Sequence, residues 1–362
     1  MNTWGNNIKL SIFGESHGGA IGVVIDGLPA GHTLDMEDIL KQMDRRAPGK
    51  NKLSTQRKEA DTPIILSGVF EGKTTGAPLC AMIKNGDTKS KDYSKLKNTM
   101  RPSHADYPAR IKFKGFNDYR GGGHFSGRLT APLVFTGAVA QQILAKNNIF
   151  VGAHIASING TSDKEFDLIA INKDIFKSVK EKNLPIIDDN AGKLMIEAIE
   201  KARLEGDSVG GVIECAAIGL PVGIGQPFFY SVESAISSLI FSVPAVKGIE
   251  FGMGFEIANM RGSEANDQYY FDENAKVQTK TNNNGGILGG LSNGMPIIFK
   301  AALKPTPSIS LRQDTVNVNS MEECSLEVNG RHDPCVVQRA VPVIESCAAI
   351  ALLDLLKGEG VI

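Results

Sequence analysis

VVQRAVPVIESCAAIALLDLLK, residues 336–357, is the stretch from which the fold is read. It is long and apolar on most sides, the pattern of a helix buried on nearly every face. Working outward, Asp35–Arg46 carries acids first and arginines last, matching a helix dipole. Asn190–Glu205 places Leu194, Ile196, Ala198, Ile199 and Ala202 at near-helical spacing, with Gly206 to stop it. Leu129–Asn147, with Pro132 in its first turn, and Ser231–Ser242 read as two further helices. Short apolar runs at Ile8–Phe13, Ile21–Ile25, Pro63–Val69 and Pro78–Ile83 read as strands. So do Phe150–Ser157, Gly211–Ala217, Val246–Phe251 and Met295–Ala302. Strands and helices mix without a regular βαβ period, which argues for an α+β fold. Lys84–Asn98 has linker character and Thr161–Asp189 reads as a peripheral insertion, but neither forces a boundary, so residues 1–362 read as one domain.

The 362 residues carry 39 basic and 40 acidic side chains, a net charge of −1. That balance gives no overall attraction for nucleic acid or anionic lipid, so anion recognition must be local. The apolar runs are too short to span a bilayer. Five scattered cysteines, an odd number without a CxxC pair, fit reduced thiols in a cytoplasmic protein. Glycine is the outlier, 39 of 362 residues, or about 11% against a usual ~7%.

Some motifs mislead. Gly68-Val-Phe-Glu-Gly72-Lys73-Thr74 resembles a phosphate-binding loop but spaces its glycines one residue too close, so Lys73 reads as the end of a hairpin. No GxGxxG follows a strand, and the six histidines include no HExxH or pair at metal spacing, so no metal site is expected.

The chemistry gathers where arginine, histidine and glycine coincide. Arg45, Arg46, Arg101, Arg120, Arg128 and Arg331 lie in short Gly/His-rich stretches, as do His17, His104, His124 and His332. Guanidinium forks match carboxylate and phosphate, and glycine lets backbone approach a ligand closely. Together they describe a pocket for a small polyanion. Gly14-Glu-Ser16-His17-Gly-Gly holds a histidine between glycines after a strand, suited to proton transfer. In Asp44-Arg45-Arg46, Arg45 either serves the helix dipole or binds an anion, and Arg46 is the better anion ligand. Arg101-Pro-Ser-His104-Ala-Asp pairs a cation with a titratable group, as a departing phosphate requires. Asp118-Tyr-Arg120-Gly-Gly-Gly-His124-Phe125-Ser126-Gly-Arg128 precedes a helix whose N–H groups can receive an anion. Asn282–Gly290 repeats the glycine pattern with amides, suiting a planar heterocycle, and Lys304-Pro305-Thr306-Pro307-Ser308 adds a cation on a stiff loop; ordinary turns account for either equally well. Gly330-Arg331-His-Asp333-Pro-Cys offers the best-placed carboxylate, as a base or as a helix-capping ion pair.

In this order, Gly14-Glu-Ser-His17-Gly, Gly123-x-x-Ser126-Gly-Arg128-x-Thr130 and Arg331-His-Asp333-Pro-Cys closely resemble the signatures of the chorismate synthase family. Asp44-Arg-Arg, Arg101-Pro-x-His104-Ala-Asp, Gly285-Gly-Ile-Leu-Gly-Gly and Lys304-Pro-Thr agree as well, so the resemblance covers nearly the whole chain. It implies a β-α-β sandwich, with helices packed between two antiparallel sheets, and a homotetramer. The implied reaction is the loss of phosphate and a ring hydrogen from 5-enolpyruvylshikimate 3-phosphate to give chorismate. It requires reduced FMN without net redox change, and NADPH is the source of reductant. By the same likeness His17 would protonate the reduced flavin, His104 the departing phosphate, and Asp333 would assist C–H cleavage. Ser16, Arg46, Arg101, Ser126, Arg128 and Arg331 would hold the substrate. Flavin contacts would fall at His124, Phe125 and Ser126, at Pro244 and Ala245, and at Gly289. Lys304, Pro305, Thr306, Pro307, Ser308 and Arg331 complete that set, while Arg46 and Lys52 match NADP positions. His124-Phe125 stands where many relatives carry Arg-Ser.

Two other classes remain open on the residues alone: a flavin-independent phosphomonoesterase or phosphotransferase with His17 or His104 as nucleophile, and an anion-sensing protein without turnover. Two spaced histidines and a carboxylate exceed what binding alone needs. His104→Ala is expected to slow turnover by ~100- to 10,000-fold, the worth of one general acid, with substrate affinity largely intact. Steady-state kinetics beside equilibrium binding check this, and unchanged turnover removes His104 from the chemistry.

Overall fold

The computed structural model describes residues 2–49, 61–86, 95–328 and 333–362. Strands β1 (Thr3–Trp4), β2 (Lys9–Gly14), β3 (Ala20–Asp26), β4 (Ile64–Ser67) and β5 (Leu79–Lys84) pair antiparallel in the order β1-β2-β3-β5-β4. A second antiparallel sheet is built from β6 (Phe150–Ile158), β7 (Thr161–Ser162), β8 (Gly211–Ile218), β9 (Val246–Phe251) and β10 (Ile297–Leu303), ordered β9-β10-β8-β6-β7. The helices are α1 (Met36–Arg46), α2 (Asp106–Lys112), α3 (Thr130–Ala145), α4 (Lys173–Lys180), α5 (Asp189–Leu204), α6 (Val232–Ile240) and α7 (Val337–Gly358).

Helix α3 packs on β3 of the first sheet, α7 on β6 and β8 of the second, and the two helices pack on each other. Helices α1 and α6 also lie against α7. One continuous apolar core therefore joins both sheets through a helical layer, the α+β sandwich expected. Nearly every residue of α7 as far as Leu356 is buried, because sheet and helices close on it from both sides. Its two buried acids act as anchors. Glu345 receives Arg45 at 2.6 and 3.1 Å and the Ala153 N–H of β6 at 2.9 Å. Asp354 accepts the N–H groups of Asn6 (3.2 Å) and Asn7 (2.6 Å), and the Tyr230 hydroxyl.

Helix α1 begins where the Asp35 side chain accepts the Asp38 N–H at 3.1 Å, and it stops before Pro48, which disfavours helix at Ala47. The Gly68–Thr74 stretch forms a hairpin, as its spacing implies. Thr161–Asp189 is less loose than its polarity suggests. It contains α4, whose Phe176 packs with Phe166 against Ala216 and Ile298 in a separate cluster outside the main core.

Helices α3 and α7 are in tight contact at Gly137, where an added Cβ would lie 2.1 Å from the Ser346 Cβ. Gly137→Val must therefore push the helices apart, and overpacking of this kind costs about 1–3 kcal/mol. A lower urea midpoint at an unchanged slope is the expected result.

Candidate active site

The loops at one end of the helical layer enclose a cavity of about 690 Å³, within the usual range of small-molecule sites. Arg46 reaches it from the end of α1, and Arg101 and His104 from the turn before α2. Ser126 and Arg128 come from the turn before α3, Lys304 from the end of β10, and Asp333 from the approach to α7. Val243, Pro244, Ala245, Val246 and Leu303 supply an apolar part of the lining.

Two anions hold the arginines in place. Asp61 lies between Arg46 and Arg128: it accepts Arg46 Nε at 2.8 Å, and forms closer contacts with Arg46 Nη2 and Arg128 Nη1. Arg128 is further tied to Asn85 Oδ1 at 3.0 Å and to the Lys84 carbonyl at 3.3 Å. Burial draws Arg46 down to about 10, which still leaves it charged at neutral pH. Burial alone would raise Asp61, but the two guanidiniums outweigh it and hold the carboxyl below its usual range. Asp106 does the same for the second pair, accepting Arg101 Nε at 2.7 Å and Nη2 at 2.8 Å, and lying 2.6 Å from His104 Nδ1. Burial holds the His104 imidazole below its ordinary value; Asp106 opposes that, while Arg101 and Lys304 add to it. Lys304 is itself lowered by burial and by Lys247, and its ammonium donates to the Ser103 carbonyl.

The triple glycine is the pivot. Gly121, Gly122 and Gly123 adopt φ of +60°, +83° and +54°, a left-handed run that side chains resist. A Cβ on Gly121 would fall 2.4 Å from the His17 ring, and one on Gly122 would lie 3.4 Å from that of His104. One stretch of backbone thus separates the two histidines. The Gly123 carbonyl accepts the Ser16 N–H at 3.1 Å, and His124 Nδ1 lies 2.8 Å from the Gly14 carbonyl.

A lining that combines guanidinium and ammonium groups with apolar side chains suits a flat heterocycle bearing phosphate beside a polyanion. Thr306 Oγ1, on this lining, is buried without a partner among the described residues, as is Ser16 Oγ. Thr306 Oγ1 thus offers an unmet polar atom to such a ligand, and the lining residues fit a flavin.

A model described as chorismate synthase matches residues 8–356. The chain is 48% identical over 350 residues to the chorismate synthase of Pyrococcus abyssi, covering 97% of this chain and 96% of that protein. It is 46% identical over 372 residues to the one from Methanocaldococcus jannaschii, covering 100% and 98%. A solved structure titled as a crystal structure of chorismate synthase superposes with a TM-score of 0.77 at 28% identity, over 98% of this chain and 93% of that one. The chain belongs to the chorismate synthase family.

A chorismate synthase is a carbon–oxygen lyase: it removes phosphate and a ring hydrogen from 5-enolpyruvylshikimate 3-phosphate in an anti-1,4-elimination, the last common step toward the aromatic amino acids. Most of the residues expected for that reaction converge here. Arg46, Arg101, His104, Ser126, Arg128 and Asp333 share the cavity, with His124, Phe125, Pro244, Ala245, Lys304, Thr306, Pro307 and Ser308. His17 and Ser16 lie behind Gly121, not on the cavity lining, and Pro305 and Gly289 are likewise off it. Lys52, Arg331 and His332 lie outside the described residues. Arg45, in the last turn of α1 where it suits the helix dipole, turns away from the cavity to Glu345. Arg120 pairs with Asp118 at 2.8 Å off the lining. The amides near Gly289 are spent on protein, Asn282 Nδ2 donating to the carbonyls of Leu168 and Pro296.

Asp61, Asn85, Asp106, Lys247 and Arg339 escaped the sequence reading. Only Asp106 stood inside a motif that could have exposed it. Asp106→Asn removes the group that favours protonated His104, so the imidazole loses its proton at lower pH. In a profile of kcat/KM, which reports the free enzyme, the basic limb is expected to move to lower pH; a fixed limb separates that limb from His104.

Proposed function

We propose that this cavity is the active site of a single-domain enzyme spanning residues 1–362, binding 5-enolpyruvylshikimate 3-phosphate beside reduced FMN. The observation that carries the reading is the convergence of Arg46, Arg101, Arg128 and Lys304 around one cavity with His104 and Asp333 on its wall. The arginines, with Arg331 and Ser126, hold the carboxylates and phosphate by charge-assisted hydrogen bonds. They also orient the carbon–oxygen bond to be broken, in a space from which the apolar part of the lining excludes water.

His104 supplies the proton that neutralises the departing phosphate. Its Nδ1–H is held by Asp106, so Nε2 is the atom that meets the phosphate oxygen. Asp333 assists removal of the ring hydrogen on the opposite side of the substrate, as an anti elimination demands. His17, screened from the cavity by Gly121, holds a proton for the cofactor's ring. Reduced FMN, when bound, supplies an electron transiently to weaken the carbon–oxygen bond, and the reaction ends without net redox change. His124, Phe125, Ser126, Pro244, Ala245 and Gly289 would hold it with Arg331 and the Lys304–Ser308 loop. NADPH would be the reductant source, with Arg46 and Lys52 at the matching positions.

We further place the enzyme in the cytoplasm as a homotetramer. No helix among the described residues is long and apolar enough to cross a membrane. Phe228, Phe229 and Phe255 are 84%, 94% and 83% exposed, the kind of apolar surface that subunit contacts cover.

An anaerobic assay tests the reading: substrate with photoreduced FMN, with oxidised FMN, and with none. Chorismate and phosphate are expected only in the first. Equal phosphate release without flavin indicates a hydrolase, and no release in any arm indicates a binding protein.

A further inference from the structure

Among the described residues, Arg339 is the one arginine on the cavity that lies outside every motif of the sequence, and it is built in against local preference. It occupies the third position of α7, whose first turn contains no acid. A cation there faces the positive end of the helix dipole, at a cost of about 0.3–1 kcal/mol. Arg46, by contrast, ends α1 where the dipole favours it.

What Arg339 touches explains the placement. Its Nη1 donates to Asp333 Oδ2 at 2.6 Å, and its Nε donates to the backbone carbonyl of Arg46 at 3.0 Å. One planar guanidinium therefore joins the carboxylate before α7 to the end of the helix that carries Arg46. Both contacted groups belong to residues lining the main cavity, and Arg339 also borders a second cavity of about 180 Å³ beside Arg45, Lys180 and Lys182. The side chain forms part of the partition between the two spaces, with two of its nitrogens committed to protein acceptors.

We propose that Arg339 is a positioning residue, fixing the Asp333 carboxylate at one orientation relative to Arg46 and hence to the substrate Arg46 holds. This rests on the reading of Asp333 as the group that assists C–H cleavage. A planar fork makes two directed contacts that a flexible ammonium cannot make together. Misplacement of a reacting group by about 1 Å costs on the order of 100-fold in rate.

Arg339→Gln and Arg339→Lys are made alone and in an Asp333→Asn background, with circular dichroism and thermal unfolding to verify folding. Single turnover with reduced FMN gives the rate, titration gives the substrate dissociation constant, and fluorescence gives the affinity for oxidised FMN. Arg339→Gln is expected to lower the rate 10- to 100-fold while both affinities stay within about twofold, and Arg339→Lys to recover part of the loss. In the Asp333→Asn background neither change is expected to slow the enzyme further. Losses that add to that of Asp333→Asn, or a weakened substrate affinity at an unchanged rate, overturn the proposal for Arg339 alone. Asp333→Asn at the wild-type rate overturns the reading of Asp333, and this proposal with it. Should Arg339→Gln fail to fold, Arg339→Lys decides on the same criteria.

Discussion

Arg46, Arg101, Arg128 and Arg339 stand close together beside one cavity, and each is matched by a carboxylate: Asp61 for two of them, Asp106 and Asp333 for the others. Everything else about the site depends on that compensation. Arg46 is only 1% exposed, and removing one partner of such a buried pair costs about 3–5 kcal/mol because the survivor is left unmatched. The aspartates therefore let the protein keep its cations fixed and dry before any anionic ligand enters. A preorganised arrangement of this kind stabilises developing charge without reorienting at the moment of reaction. It also explains how a chain of net charge −1 recognises a polyanion: the positive charge is concentrated in one place.

The same economy governs the backbone. Three consecutive left-handed glycines let a single turn pass between His17 and His104, with an added Cβ at Gly123 only 1.9 Å from the Asp118 carbonyl. No other residue permits that path, so the glycine excess visible in the composition has a local use. The rigid helix pair behind the turn holds it still. Helix α3 follows shortly after Arg128, and α7 follows Asp333, so two loops that line the cavity enter helices packed on each other.

Much of this was legible because long apolar periodicity survives in any context. The buried C-terminal helix, the strands and the α+β class all follow from residue spacing, as do the separate Arg/His/Gly clusters. Pairing between distant segments was not legible. Asp61 follows a polar stretch with nothing around it to suggest that it serves two guanidiniums, one from α1 and one from the turn before α3. Arg45 and Arg46 are neighbours in sequence, yet the ~100° between successive residues of a helix sends one to Glu345 and the other to the cavity. The amides of Asn282–Gly290 resembled ligand donors, but Asn282 is spent on the backbone carbonyls of Leu168 and Pro296, since buried carbonyls must find donors somewhere. Helix α4 was hidden because its apolar side faces the outside of a sheet and is short.

His104 sets a constraint that runs through the chemistry. A general acid must carry a proton, yet burial and the neighbouring cations favour the neutral imidazole, with Asp106 the opposing influence. The conflict resolves if the ligand completes the electrostatics. A phosphate brings negative charge against the same imidazole, and an anion within about 4–6 Å favours the protonated form. Binding of the phosphate therefore shifts His104 toward its protonated form. The cations that bind the phosphate suppress the acid in the empty site, and the phosphate they bind restores it. On the proposed reading of His104 as the acid, phosphate binding and proton supply are coupled through the same electrostatics.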